Sequence, residues 1–284
     1  MSKVGILVDS TSDMTPVELA AIGVSHIPLI VRIDGVEYRD GVELTPEVFY
    51  PKLVAATELP QTSQPTPADF LAAYREMAEQ GCDEIVVITL SEALSGTHQS
   101  ADIASKESPV PVHLVNSFSV SPGLALLTMY AAELRDKGID GEGIARELRD
   151  CVHRSGLYFV IGTMEYLVKG GRAGKAAGLA ATLLNIKPIL RVNEEGGLEP
   201  VAKVKGTGKA IEALAKTIVE RTHGYADVRY MIACTSEPAL IDQARAALLA
   251  AGISGKEMRP SRIGPVVGTH AGPDAIAVAY IATR

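Results

Sequence analysis

The stretch "EIVVITLSEALSGTHQS", Glu84 to Ser100, decides how this chain is read. Its first seven residues are a continuous apolar run of strand length. A hydroxyl-rich loop follows, and Ser95-Gly96-Thr97 opens a helix. A short apolar run bounded by turn residues reads as a buried strand. The same order recurs on either side. "KVGILVD" (Lys3 to Asp9) leads into "STSD", and "PVHLVNS" (Pro111 to Ser117) leads into "FSVSPG". The helices between these strands mark their own starts by pairing a capping hydroxyl with proline, at Thr15-Pro16, Thr45-Pro46, Thr66-Pro67 and Ser121-Pro122. Gly23, Gly81 and Gly138 stand where helices should end. Strands alternating with such helices predict an α/β fold, here a mostly parallel sheet with helices on both faces.

The second half has a different rhythm. "LNIKPILRVNEEGGLEPVAKVKG" places two extended segments around Glu194-Glu195-Gly196-Gly197, which predicts a hairpin and so brings in antiparallel strands. "GKAIEALAKTIVERTHG" is an amphipathic helix, "DVRYMIACT" a strand, and Pro238 to Ala251 a helix. The tail "RIGPVVGTHAGPDAIAVAYIAT" reads as a glycine-rich loop and then a strand. A boundary is placed near Gly156, giving an N-terminal α/β domain over 1–156 and a C-terminal α/β domain with antiparallel strands over 157–284.

Composition narrows the function. The 284 residues carry a formal net charge of -7 with no long run of like charge, which argues against nucleic acid and anionic membrane as partners. Apolar residues make up 47%, with no tryptophan and 5% aromatics, so aliphatic side chains do the packing. Cys82, Cys151 and Cys234 have no CxxC spacing and read as reduced thiols in a cytoplasm. Met1-Ser2-Lys3 leads directly into a strand, so no targeting segment is expected. Nor is any apolar run near the roughly 20 residues that span a bilayer, so stable membrane insertion is not expected.

Ligands of open parallel sheets bind at strand ends. Each of those ends carries hydroxyls here: "DSTSD" (Asp9 to Asp13), "TLSEALSGTHQS" (Thr89 to Ser100) and "NSFSVSPG" (Asn116 to Gly123). "TSQPT" (Thr62 to Thr66) adds more than its helix start requires. Together they suggest a neutral, donor-rich pocket, and a helix opening at Ser95 to Thr97 favours an anion. Several familiar patterns are absent. No GxGxxG follows a strand, "KGTGKA" and "GGRAGK" lack Walker spacing, there is no GxSxG elbow, and the six histidines form no metal motif. A serine hydrolase using Ser95 and His270 on acyl esters, or a nucleotide or phosphosugar binder using the glycine loops, remain alternatives.

The set "VDSTSD", "TSQPTPADF", "LSGTHQSA", "YLVKGGRAG", "NIKPIL" and "IGPVVGTHAGP" resembles the DegV family of bacterial fatty-acid-binding proteins, in family order from residue 4 to about residue 280. The resemblance implies a cytosolic carrier with no catalysis of its own and no cofactor. It would hold one long-chain fatty acid, such as palmitate or stearate, in the cleft between two α/β domains. It further implies a partner kinase of dihydroxyacetone-kinase type that phosphorylates the acyl carboxylate for phospholipid synthesis. Thr62 of "TSQP" and Ser95 of "LSGT" match the family's carboxylate-binding hydroxyls, and His270 matches a histidine near the same head group. Their neighbours Ser63, Gly96, Thr97 and Thr269 are expected in that site. Arg172 of "KGGR", with Lys203 and Lys205, matches positions expected to meet the phosphate or the kinase. Two local segments depart from the family pattern: "GPDAIAV" is less glycine-rich, and "NSFSVSPG" does not begin Asp-Ser.

These residue types suit the task. A buried carboxylate must be hydrogen-bonded or its burial costs several kcal/mol. Hydroxyls satisfy it while leaving an oxygen free. Each buried methylene gains about 0.8 kcal/mol, so a long acyl chain calls for a dry aliphatic slot. The segments "GLAATLLNIKPIL" and "GLALLTMYAA" are expected to line it.

Overall fold

The computed structural model describes residues 3–179 and 185–283. The chain runs through β1 (Val4–Asp9), α1 (Pro16–Ala21), β2 (Ser25–Ile27), β3 (Ile30–Ile33), β4 (Val36–Arg39), α2 (Pro46–Ala55), β5 (Gln61–Ser63), α3 (Pro67–Glu79) and β6 (Glu84–Thr89). It continues with α4 (Thr97–Ser105), β7 (Val112–Asn116), α5 (Pro122–Asp136), α6 (Gly141–Val152), β8 (Ser155–Val160), α7 (Glu165–Lys169), β9 (Ile186–Val192) and β10 (Leu198–Lys205). The last part holds α8 (Thr207–Thr222), β11 (Asp227–Cys234), α9 (Ala239–Ala251), β12 (Lys256–Glu257), β13 (Ser261–Arg262), α10 (Pro265–Ala271) and β14 (Ile276–Thr283). A short 3-10 turn at Ser10–Ser12 follows β1 directly.

Among the described residues, the first sheet has four parallel strands in the order β2-β1-β6-β7. The helices cover both its faces. Leu7, Ile85 and Val87 pack under Phe70, Tyr74 and Met77 of α3, with Ala101 and Ala104 of α4 beside them. On the other face Val4, Ile6, Val86 and Ile88 meet Leu124, Leu127 and Ala131 of α5 and Ile144 and Leu148 of α6. The near-continuous apolar strands follow from this, because both faces of each are dry. The second sheet, ordered β10-β9-β8-β14-β11-β12 with β13 also on β11, is mostly antiparallel, with α8 and α9 on its outer face. The hairpin of β9 and β10 turns through Asn193 to Gly197 as its sequence predicts.

Between the two sheets lies α5. It packs on β1 and β6 of the first and on β11 and β14 of the second. Every residue from Pro122 to Tyr130 except Met129 is buried. A helix that is apolar all round is a core helix. This corrects one expectation: "GLALLTMYAA" lines no ligand slot, because both of its faces already meet a sheet. Of the other expected lining segment, residues 180–184 lie outside the described residues.

Three further points were not legible in the sequence. The first is a small antiparallel sheet, β4-β3-β5, whose edge strand β5 holds Thr62 opposite Val31. The second is that "GPVVGTHA" is not a loop: Pro265–Ala271 forms α10, a helix made by its surroundings, with Gly268 pressed against Tyr50 and Phe49. The third concerns the starts of the helices. Thr15 and Thr66 cap them in reciprocal capping boxes, but Thr45 and Ser121 make no capping bond. Ser121 donates its hydroxyl to Asp13 instead.

Candidate functional site

A cavity of about 370 Å³ lies where the ends of the parallel strands face the second sheet. From the strand-end loops it receives Thr11, Leu90, Leu94, Ser95, Val120 and Ser121. From the second sheet come Leu157 and Phe159 of β8, Leu198 of β10 and Ala277 of β14, and α10 adds Val266, Val267 and His270. Its interior is thus largely aliphatic, apart from the buried residues Thr11 and Ser121. Its other polar members gather at Thr62 and Ser63 of β5 with Gln64 just after it, at Ser95, and at Arg172 and His270. Ser63, Gln64 and Arg172 are exposed, so they mark the mouth. Thr62, Ser95 and His270 are half-buried beside them.

Thr62 Oγ1 and His270 Nε2 are 3.0 Å apart, although 208 residues separate them. Burial first, and the charge of Arg172 second, lower the pKa of His270 to about 4, so the ring is neutral near pH 7. Its Nδ1 is buried without a hydrogen-bond partner. We assign the ring proton to Nε2, since an unpartnered N–H would cost more than a bare acceptor. In that tautomer the imidazole donates to the Thr62 oxygen and leaves the Thr62 hydroxyl proton free to point at a ligand. The ring fits because residue 170 is glycine: a Cβ there would lie 2.3 Å from His270 Nδ1. That accounts for a glycine in "KGGR".

Ser95 Oγ lies 2.9 Å from Thr97 Oγ1 at the start of α4. The helix has Gly96 at its cap and no side-chain cap, so its first-turn amides favour an anion nearby. Arg172 reaches across the mouth, donating to the carbonyls of Leu94 at 3.2 Å and Gly170 at 2.9 Å. Donors from four segments therefore converge on one rim.

The other expected residues fall elsewhere. Thr97 and Thr269 are fully buried, and neither lines the cavity. Thr269 donates within its helix to the carbonyl of Pro265 at 2.9 Å. Lys203 and Lys205 are exposed and share one face of the edge strand β10, but they do not line the cavity. Gln64 is in the wall, although the sequence reading had not singled it out.

Sequence reasoning also missed a carboxylate cluster behind the cavity wall. Asp9 accepts from the amides of Thr11 at 3.0 Å and Leu90 at 2.6 Å. Asp40 accepts from Ser10 Oγ at 2.7 Å and from the Val266 amide at 3.3 Å. Asp13 accepts from Ser121. Burial raises all three pKa values, to about 6 for Asp9, to about 7 for Asp40, and well above the ordinary carboxylate range for Asp13. The cluster thereby joins the first strand-end loop to the start of α10, the helix that presents His270. Among the described residues no group of three or more His, Cys, Asp or Glu is arranged to hold a metal ion, and no helix is long and apolar enough to cross a membrane.

Fold and cavity together define a class of α/β protein in which a parallel and an antiparallel sheet share an apolar slot with a hydroxyl-bearing mouth. The chain belongs to the DegV family, whose model matches residues 3–283. A DegV domain-containing protein of Deinococcus radiodurans is 36% identical over 278 residues, 97% of each chain. A fatty acid-binding protein of Thermotoga maritima is 34% identical over 281 residues, 96% of each chain. The solved structure of a fatty-acid-binding DegV family protein from Thermus thermophilus superposes with a TM-score of 0.93 at 32% identity, covering 99% of both chains.

Proposed function

We propose that this protein is a non-catalytic carrier of a long-chain fatty acid such as palmitate or stearate. The acyl chain lies in the slot between an N-terminal unit over 1–156 and a C-terminal unit over 157–284, and the carboxylate lies at the mouth. One observation carries the reading: the cavity is largely aliphatic inside, and its polar groups, the buried Thr11 and Ser121 apart, gather where Ser63, Gln64 and Arg172 reach solvent. That polarity suits a single-headed amphiphile entering tail first. Thr62 and Ser95 donate to the carboxylate, and Arg172 supplies the opposite charge while His270 stays neutral. The sequences and structures of DegV relatives that bind fatty acids support the same reading. Native mass spectrometry of the purified protein tests it. A co-purifying mass of an ordinary fatty acid is expected, and a nucleotide mass in its place would overturn the proposal.

A carboxylate held at the mouth is also placed to meet an enzyme. The resemblance of the sequence to fatty-acid kinase substrates supports a cytoplasmic kinase of dihydroxyacetone-kinase type as the partner. Lys203 and Lys205 stand side by side on the solvent face of β10 and suit an acidic partner surface. Such contacts act on association rate and are screened by salt. The variant carrying both Lys203→Ala and Lys205→Ala should keep its lipid, but its bound fatty acid should be converted to acyl phosphate several-fold more slowly by the cognate kinase at low salt. The difference should shrink at high salt. Wild-type rates at both ionic strengths would remove the pair from the docking surface.

A further inference from the structure

Gln64 is the third residue of "TSQP", two positions after Thr62, and the head-group reading above gives it no contact with the carboxylate. Just past the end of β5, its side chain lies on the first turn of α4. Nε2 donates to Oγ of Ser100 at 3.1 Å, and Ser100 is buried. On the way it lies across Gly96, where a Cβ would come within 2.5 Å of Gln64 Oε1 and 2.7 Å of Nε2. Gly96 has φ -75° and ψ 10°, which any residue can adopt. Glycine there therefore gives the Gln64 side chain its space and is not needed for backbone freedom. Gly96 is flanked by Ser95, whose hydroxyl is at the mouth. Thr62, on the other side, is fixed by pairing of β5 with β3 and followed by Pro65 and the Thr66 cap of α3.

We infer that Gln64 is a positioning residue: its contact with Gly96 and Ser100 sets the separation and direction of the Thr62 and Ser95 hydroxyls, so that both reach one carboxylate. This rests on the fatty-acid reading above. The contact joins two loops that share no other side-chain hydrogen bond among the described residues. A bidentate site loses affinity when its two donors are free to drift, even with both donors present.

The test is calorimetric titration of delipidated protein with palmitate and, separately, with hexadecanol, which has the same chain and no carboxylate. Gln64→Ala should raise the palmitate Kd about tenfold, on the scale of one weakened hydrogen bond to a charged group. Gly96→Ala, whose methyl displaces the Gln64 side chain, should give the same loss. The double variant should be no worse than either single one, because both remove one contact. Hexadecanol binding should fall much less in all three, a split that general loosening of the pocket would not produce. Gln64 is exposed, so Gln64→Ala is expected to fold, and a circular dichroism melt checks both variants. Wild-type palmitate affinity in both single variants, multiplying losses in the double variant, or equal losses for the two ligands would each overturn the inference. Failure of the wild-type protein itself to bind palmitate would instead overturn the fatty-acid reading on which it rests.

Discussion

Between pH 8 and pH 5 the wild-type protein is expected to gain stability from Asp40, and an Asp40→Asn variant is expected to lose that gain. Burial raises the Asp40 pKa from 3.8 to about 7, against the two hydrogen bonds it accepts and with help from Asp9. A carboxyl with a raised folded-state pKa favours the fold when it is protonated. Its contribution is thus fully present below about 3.8 and is lost as pH rises through about 7. Across that window each pH unit is worth about 1.4 kcal/mol, or about 4 kcal/mol in all. Asp9 and Asp13, also raised, push in the same direction and leave a residual slope. Urea melts at half-unit pH steps would show it. Parallel wild-type and Asp40→Asn curves would mean that Asp40 does not titrate in this range. Asp40 also holds the Val266 amide, so the same series tests whether the pitch of α10 follows its charge. Palmitate affinity should change over this interval, beyond the titration of the lipid itself, only if it does.

The second large effect lies at the mouth. Ser95→Ala and Thr62→Ala should each raise the Kd for palmitate by one to two decades, since a hydrogen bond to a charged group is worth about 1.5–3 kcal/mol. The Thr62 change carries an added cost, because it leaves His270 Nε2 without its 3.0 Å partner. In the proposed function both hydroxyls serve one carboxylate, so the double variant should lose less than the two single losses combined. Titration of delipidated protein gives all three constants. Unchanged affinity in both single variants would move the carboxylate away from this rim.

Much of the architecture was visible because burial writes itself into strands and helices that obey one period. Ile85 to Ile88 could only be a strand with two dry faces, and the turn after Val192 could only close a hairpin. The small sheet escaped because its strands are three or four residues long and do not alternate cleanly, as in "VEYR" and "QTS". The helix α10 escaped because its sequence carries Gly268 and follows Gly264, so local preference argues against the conformation that packing against Tyr50 and Phe49 imposes. One of the two segments expected to line the slot, "GLALLTMYAA", was misplaced for a related reason. An apolar run such as Leu124 to Tyr130 announces burial and says nothing about which neighbour does the burying. At the rim, hydroxyl-rich stretches marked the loops and the resemblance to the DegV family singled out Ser95 and Thr62 within them, whereas the place of Gln64 depends on an approach to Gly96 that no local pattern encodes.

The position of α5 bears on how a guest gets in and out. Many two-lobed receptors open like a book about a flexible spine. Here the spine is filled: prying the sheets apart would strip α5 from β1 or from β14 and wet a row of leucines and alanines. Wetting even four or five such side chains costs on the order of 10 kcal/mol, a population too rare to govern exchange. Traffic must therefore pass through small displacements at the rim, where Arg172 bridges to the carbonyl of Leu94. On the proposed carrier reading the protein is a sheath and not a clam: a few surface contacts would set residence time, and a partner that rearranged them on docking could hasten or stop departure without moving the frame.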